Sequence, residues 1–290
     1  MLGFIGTGNM GGAILRGVLA AGMSPANVVF TRKNAEAGRA QAAQTGTRFL
    51  PTAAEVYDAA DVVIVAVKPI AMASALEDLG KQSHGQVIVS VAAGLSLATL
   101  AAHSPARSPI VRVMPNVNSQ IGAGMSALCA NELVAEEQLT AVEEIFATVG
   151  LTTRIPEKDF AAFSAIAGCS PAWTYTYIDA LARGGLAAGL NLEQARQIAA
   201  QAVLGSAQLV LDRQGTLSPS QLRDQVTSPA GQRLPDSSPW RRQVSPRPSS
   251  TPSTRPSRAT RRLGASSSPP TSARRVSRAQ AQPGSLGRTS

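Results

Sequence analysis

The stretch that most constrains this chain is its beginning. There the apolar run Leu2-Gly3-Phe4-Ile5 meets Gly6-Thr7-Gly8-Asn9-Met10-Gly11, followed by Ala13, Ile14 and Val18 at helical spacing. An apolar run, three glycines spaced G-x-G-x-x-G and an amphipathic pattern dictate strand, tight turn and helix in that order. Gly6 permits the turn, Gly8 lets a bound group reach the backbone with no Cβ in the way, and Gly11 lets the helix press against the strand. Amide hydrogens at the start of such a helix, at the positive end of its dipole, favour an anion. The pattern predicts a dinucleotide whose diphosphate rests on residues 6–11, with Thr7, Asn9 and Met10 in contact.

Further strands are expected at 28–31, 61–67, 87–91, 110–113 and 126–129, with helical stretches between them. This alternation implies a doubly wound, Rossmann-type parallel sheet covered on both faces. From about Pro156 the strand signal ends. Residues 160–166, 172–186 and 192–211 are Ala-rich and helix-periodic, and Asn191 is suited to cap the last of them. The expected organisation is a dinucleotide-binding domain over 1–155, a smaller all-helical domain over 156–231 and an Arg/Ser/Pro-rich tail over 232–290.

The formal charge of +9 belongs entirely to that tail. Residues 1–231 hold 15 Lys+Arg against 17 Asp+Glu, a net of −2; residues 232–290 hold 12 Arg against Asp236, a net of +11, and the two sum to +9. With 14 Ser and 9 Pro among its residues, the tail cannot bury enough apolar surface to offset the ordering of its backbone and is expected to be disordered. The apolar stretches are far shorter than the roughly 20 residues of a membrane span, and no basic lead-in to a signal peptide precedes them, so a cytoplasmic protein is expected. Cys129, Cys169, His84 and His103 form no metal-ligand pattern, so no metal is expected.

The end of the second strand selects the nucleotide. An acidic residue there would bind a ribose 2′-hydroxyl and repel a 2′-phosphate, whereas this strand ends Thr31-Arg32-Lys33-Asn34. Arg32 can give a phosphate two parallel hydrogen bonds and Lys33 adds charge, so NADP(H) is expected. Ala66-Val67-Lys68-Pro69 closes the next central strand, at the edge where ligands bind in open sheets. Lys68 reads as a complement to cofactor charge rather than as a catalytic group. Ala92, Ala93 and Gly94 end the following strand with small residues, which suit a nicotinamide lying against the backbone and suit plain packing equally well.

The segments FIGTGNMGGAI, AVKP, VAAG, Met114-Pro-Asn116 and above all the stretch from Gly168-Cys-Ser-Pro-Ala to LRDQVTSPAG at 222–231 resemble the pyrroline-5-carboxylate reductase family. The likeness spans about 1–231, and the helical-domain signature is its most specific part. It implies hydride transfer from NADPH to the C5 carbon of a cyclic imine, giving proline. Such a reaction needs positioning more than side-chain acid–base chemistry, so no certain catalytic residue is expected. The resemblance further implies that Ser228 and the backbone of Ala230 and Gly231 receive the substrate carboxylate, that Gln225 approaches the cofactor, and that the helical domain builds a homodimer or dimer-based oligomer.

Two departures bear on these expectations. Past Gly231 the family continues with a threonine-containing stretch and two further helices, whereas Gln232-Arg233-Leu234-Pro235 follow here; the break reads as translation out of frame and is expected to weaken both subunit association and turnover. Asn118 stands where the family prefers proline, at a cost in loop rigidity only. Other readings are an NADP-dependent oxidoreductase of another imine, a β-hydroxyacid dehydrogenase, and a nucleic-acid-binding protein. The dehydrogenase would need a lysine on the first long helix of the second domain, yet Lys158 is the last lysine of the chain. The arginine-rich tail lacks the interleaved aromatics of nucleic-acid binders apart from Trp240, so no specific nucleic-acid partner is expected.

Overall fold

A computed structural model describes residues 1–227. Eight strands, β1 Leu2–Ile5, β2 Val28–Thr31, β3 Arg48–Phe49, β4 Val62–Val65, β5 Val87–Ser90, β6 Ile110–Met114, β7 Gly124–Ala130 and β8 Gly150–Arg154, form one sheet in the order β3-β2-β1-β4-β5-β6-β7-β8. The sheet folds outward in both directions from β1 and β4, so the carboxyl ends of these two strands flank a topological switch point.

Alternation along the buried strands feeds two cores. Leu2, Phe4, Val28, Phe30, Ile64, Val87 and Val89 pack on one face with Ile14, Leu15 and Val18 of helix α1 (Asn9–Ala20) and with Val142 and Phe146 of α6 (Glu136–Ala147). Ile5, Val29, Val63, Val65 and Ile88 pack on the other with α3 (Ala53–Ala59), α4 (Met72–Glu77) and α5 (Leu97–His103). Helix α2 (Ala35–Thr45) links β2 to β3.

The expectation of a parallel sheet needs one correction: β7 runs antiparallel to β6, and β8 pairs parallel to β7. Only residues 115–123 separate β6 from β7, and they hold one short 3-10 turn, Val117–Ile121. A parallel return needs a crossover of about a dozen residues or more, so this connection can only reverse direction. The strand expected over 61–67 is shorter, because the chain turns at Lys68 into the 3-10 turn Pro69–Ala71.

The helix expected over 160–166 is broken. Helix α7 covers Phe160–Phe163 and a π-turn occupies Ser164–Gly168 before α8 (Ser170–Ala187) begins. Pro171 supplies the reason, since it stands four residues after Ala167 and has no N–H to give that carbonyl. Buried Asn116 provides the missing donor, its Nδ2 lying 3.0 Å from the Ala167 carbonyl, while its Oδ1 accepts from the Met125 amide at 3.1 Å. The chain then runs through α9 (Leu192–Asp212), where the Asn191 side chain accepts from the Gln194 amide as expected, and α10 (Pro219–Gln225).

Helices α8 and α9 pack through small residues. Ala182, Ala195 and Ala199 are buried, and a Cβ on Gly185 would come 3.1 Å from that of Ala195. Trp173, Tyr175, Ile198 and Leu204 remain exposed. Among the described residues no helix is long and apolar enough to cross a membrane. The tail over 232–290, with the disorder expected of it, lies outside the described residues.

Candidate functional site

The register of the sheet places the sequence-predicted cofactor residues along one edge. Ile5 pairs with both Thr31 and Val65, and Val65 pairs with Ser90. Gly6, Arg32, Ala66 and Val91 each follow one of those four residues directly, so the glycine-rich turn, the basic pair, the Ala66-Val67-Lys68-Pro69 loop and the loop carrying Ala92 and Gly94 leave the sheet side by side. Hydrogen bonds extend the ladder across this line, from the Gly6 amide to the Thr31 carbonyl at 2.9 Å and from the Ala66 amide to the Ile5 carbonyl at 2.8 Å.

The glycines of the turn do different things. Gly6 has φ +90°, a conformation that side chains other than glycine rarely adopt. A Cβ on Gly11 would lie 2.2 Å from the Gly6 carbonyl oxygen and 2.9 Å from the Ala66 Cβ, so only glycine lets α1 approach β1 and β4 this closely. A Cβ on Gly8 would meet nothing within 4 Å. The space above Gly8 is open, and Gly8 caps α1 with no side-chain hydrogen bond and no acidic residue in the first turn. Helices α2, α3, α5, α9 and α10 start with side-chain caps, from Asn34, Thr52, Ser96, Asn191 and Ser218, whereas α4, α7 and α8 start without one, as α1 does. The first amides of α1 are left for an outside acceptor.

At the end of β2, Lys33 is exposed and Arg32 is half-buried. Arg32 Nη1 donates to Gln41 Oε1 at 3.1 Å, and the same oxygen accepts from Thr7 Oγ1 at 2.8 Å. Gln41, on α2, was not singled out in the sequence; its only signal there is a place on the helix face that also carries Gly38, Ala42 and Thr45. Lys68 is exposed at the start of its loop, Ala92 is buried, and Gly94 turns with φ +80°.

A second group missed by the sequence reading ties this edge to the helical segment. Arg112 on β6 donates through Nη1 to Glu157 Oε1 at 2.8 Å, and its guanidinium carbon lies 4.3 Å from the centre of the Phe160 ring. The same Glu157 oxygen accepts from the Leu97 amide at 2.6 Å, at the start of α5 and close to Ala92 and Gly94. Cys129, opposite Arg112 in the sheet, has its thiol pushed up to about 11, chiefly by burial and further by the Glu157 carboxylate. Residues 45 positions apart carry no local signal of such a link.

The remaining expectations divide in two. Gln225 is exposed at the end of α10, and among the described residues the hydrogen bonds of 219–227 stay within that segment and its cap. Ser228, Ala230 and Gly231 lie outside the described residues. Among the described residues no group of three His, Cys, Asp or Glu side chains could hold a metal ion.

Comparison with known proteins decides the family. Pyrroline-5-carboxylate reductase of Aquifex aeolicus is 37% identical over 230 residues, 79% of this chain and 84% of that protein. The chain belongs to the pyrroline-5-carboxylate reductase family. The reductase of Arabidopsis thaliana is 38% identical over 79% of the chain and 83% of its own length. Two family profiles also match, one described as pyrroline-5-carboxylate reductase dimerisation over residues 157–233, the other as NADP oxidoreductase coenzyme F420-dependent over residues 1–94. Among solved structures, the Coxiella burnetii reductase superposes with TM-score 0.75 at 31% identity, covering 79% of this chain and 86% of that one. The Plasmodium falciparum reductase, solved with NADP bound, gives 0.71 at 28% identity over 80% and 85%. The match to the dimerisation profile takes in α7, α8, α9 and α10.

Proposed function

We propose that this chain is an NADPH-dependent reductase of 1-pyrroline-5-carboxylate, forming proline in the cytoplasm. The observation that carries the reading is the uncapped, glycine-lined start of α1 set beside Arg32, in a chain whose helical half matches the family's dimerisation region. NADPH, when bound, supplies the hydride that reduces the cyclic imine. The chain holds it through the amides and open space of Gly6, Thr7, Gly8, Asn9, Met10 and Gly11, with Arg32 and Lys33 receiving the 2′-phosphate. Ala66, Val67, Lys68, Pro69, Ala92 and Gly94 line the rest of the cofactor edge. The family resemblance assigns the substrate carboxylate to Ser228, Ala230 and Gly231 and a cofactor contact to Gln225.

The domain division at 155 and 231 is part of this reading. So is a homodimer formed by the helical half, which would cover the exposed apolar side chains of α8 and α9. Because the likeness covers 79% of the chain and the Arg/Ser/Pro-rich stretch begins at 232, we propose that association and turnover are weakened in the chain as it stands. NADPH oxidation driven by 1-pyrroline-5-carboxylate, measured on this chain and on a version carrying the family's continuation after Gly231, tests both points. The expected outcome is NADPH binding by both proteins and fast turnover by the second alone. Equal turnover by the two would overturn the impairment, and an absence of NADPH binding in either would overturn the cofactor.

A further inference from the structure

We propose that Gln41 is a positioning residue for the 2′-phosphate: its amide oxygen holds the Arg32 guanidinium and Thr7 of the glycine-rich turn in one cluster, so that this chain's preference for NADPH over NADH depends on Gln41 as well as on Arg32. The proposal rests on the assignment of Arg32 to the 2′-phosphate made above.

The chemistry of the contact fixes its orientation. Arginine has donors and no acceptor, so the Gln41 atom facing Arg32 Nη1 at 3.1 Å must be the carbonyl oxygen. The same oxygen takes the Thr7 hydroxyl at 2.8 Å, and Thr7 is buried, so the acceptor is anchored from the turn side. With Nη1 engaged, Nε and Nη2 of Arg32 make no other hydrogen bond among the described residues and keep their donors for an anion. A long side chain tethered in this way loses less rotamer freedom on gripping a phosphate than a free one.

Helix α2 brings Gln41 to this place. It starts at the Asn34 cap, whose side chain accepts from the Ala37 amide at 3.0 Å, and it sits tightly on β3, since a Cβ at Gly38 would reach 2.5 Å from Phe49. Ala42 packs into the core and the Thr45 hydroxyl donates to the Gln41 carbonyl at 2.8 Å, so Gln41 stands on the inward face of a fixed helix. The neutrality of the amide is part of the design. A carboxylate at the same position would pair with Arg32, cancel its charge and repel the phosphate dianion.

The test is a double-mutant cycle read by calorimetric binding of NADPH and of NADH, which differ only in the 2′-phosphate. Wild-type chain, Gln41→Leu, Arg32→Ala and the double variant are compared by the ratio of the two affinities. Gln41→Leu should lower the ratio about fivefold in the wild-type background, the loss of one charge-assisted hydrogen bond, and leave it unchanged in the Arg32→Ala background. A fall common to both dinucleotides reports the Thr7 contact and cancels in the ratio. Gln41→Glu, which keeps the acceptor and the length of the side chain, should lower the ratio at least as far, and it carries the test should Gln41→Leu not fold. An unchanged ratio in the folded Gln41 variants, or an equal fall in both Arg32 backgrounds, overturns the proposal and leaves the Arg32 assignment standing. A wild-type ratio near one, or no effect of Arg32→Ala, takes away that assignment and this proposal with it.

Discussion

Two glycines of the same turn separate folding from binding. Gly8→Ala adds a methyl group to open space, so it should hold stability within about 1 kcal/mol of the parent, the cost of a poorer cap, while weakening NADPH. Gly11→Ala drives a methyl group into the Gly6 carbonyl and should lower stability by about 2–3 kcal/mol as well as weaken NADPH. Urea denaturation and calorimetry on the two variants check this; equal losses of stability would contradict the geometry. The cysteines differ in the same local way. Burial keeps Cys129 protonated up to about 11, so exposed Cys169 should be alkylated first at neutral pH, as peptide mass spectrometry would show. The sign of the linkage follows. Between the ordinary thiol value of 9.0 and about 11 the folded chain holds a proton that the unfolded chain has lost, so Cys129 contributes a fall in stability as pH rises through that window and none below it. Cys129→Ala should flatten that part of the pH–stability curve.

The elements most legible in the sequence were those whose signal is contiguous. The run LGFI with its glycines, and the unbroken apolar run at 62–65, give strand and turn directly, because burial on both sheet faces leaves no polar gaps. Strand β8 is an edge whose Leu151 is exposed and whose centre is Thr-Thr, so neither burial nor alternation marks it. Helix α10 carried a readable sign that was passed over: Ser218 and Gln221 form a capping box around Pro219. Gln41 and the Arg112–Glu157 pair were invisible for a different reason, since each acts on residues supplied by other elements. The π-turn is intermediate. Pro171 announced a carbonyl without a partner, but nothing nearby named Asn116 as the donor. Asn116→Ala removes both of that residue's hydrogen bonds and should destabilise the chain by about 2–4 kcal/mol, measurable as a lower urea midpoint. A loss under about 0.5 kcal/mol would show that water replaces both contacts.

At the scale of the molecule, the strand order and the common carboxyl edge explain why residues expected to meet the cofactor lie side by side although they span positions 6 to 94: a doubly wound sheet collects the residues that end its strands. The direction of β7 and β8 was not found, because it depends on the short link after β6 and not on any strand's own pattern. The helical half obeys another logic. Its two long helices spend their alanines and Gly185 on each other and turn Trp173, Ile198 and Leu204 outward. If that surface pairs two chains as proposed, the unfolding temperature is a function of how much protein is in the tube. A hundredfold dilution should lower the midpoint of thermal unfolding, because covering the outward side chains requires a second molecule and is therefore governed by mass action. A midpoint indifferent to dilution would mean that those side chains face water at every concentration. On that pairing, the chain's resistance to heat is a property of the population rather than of the single molecule.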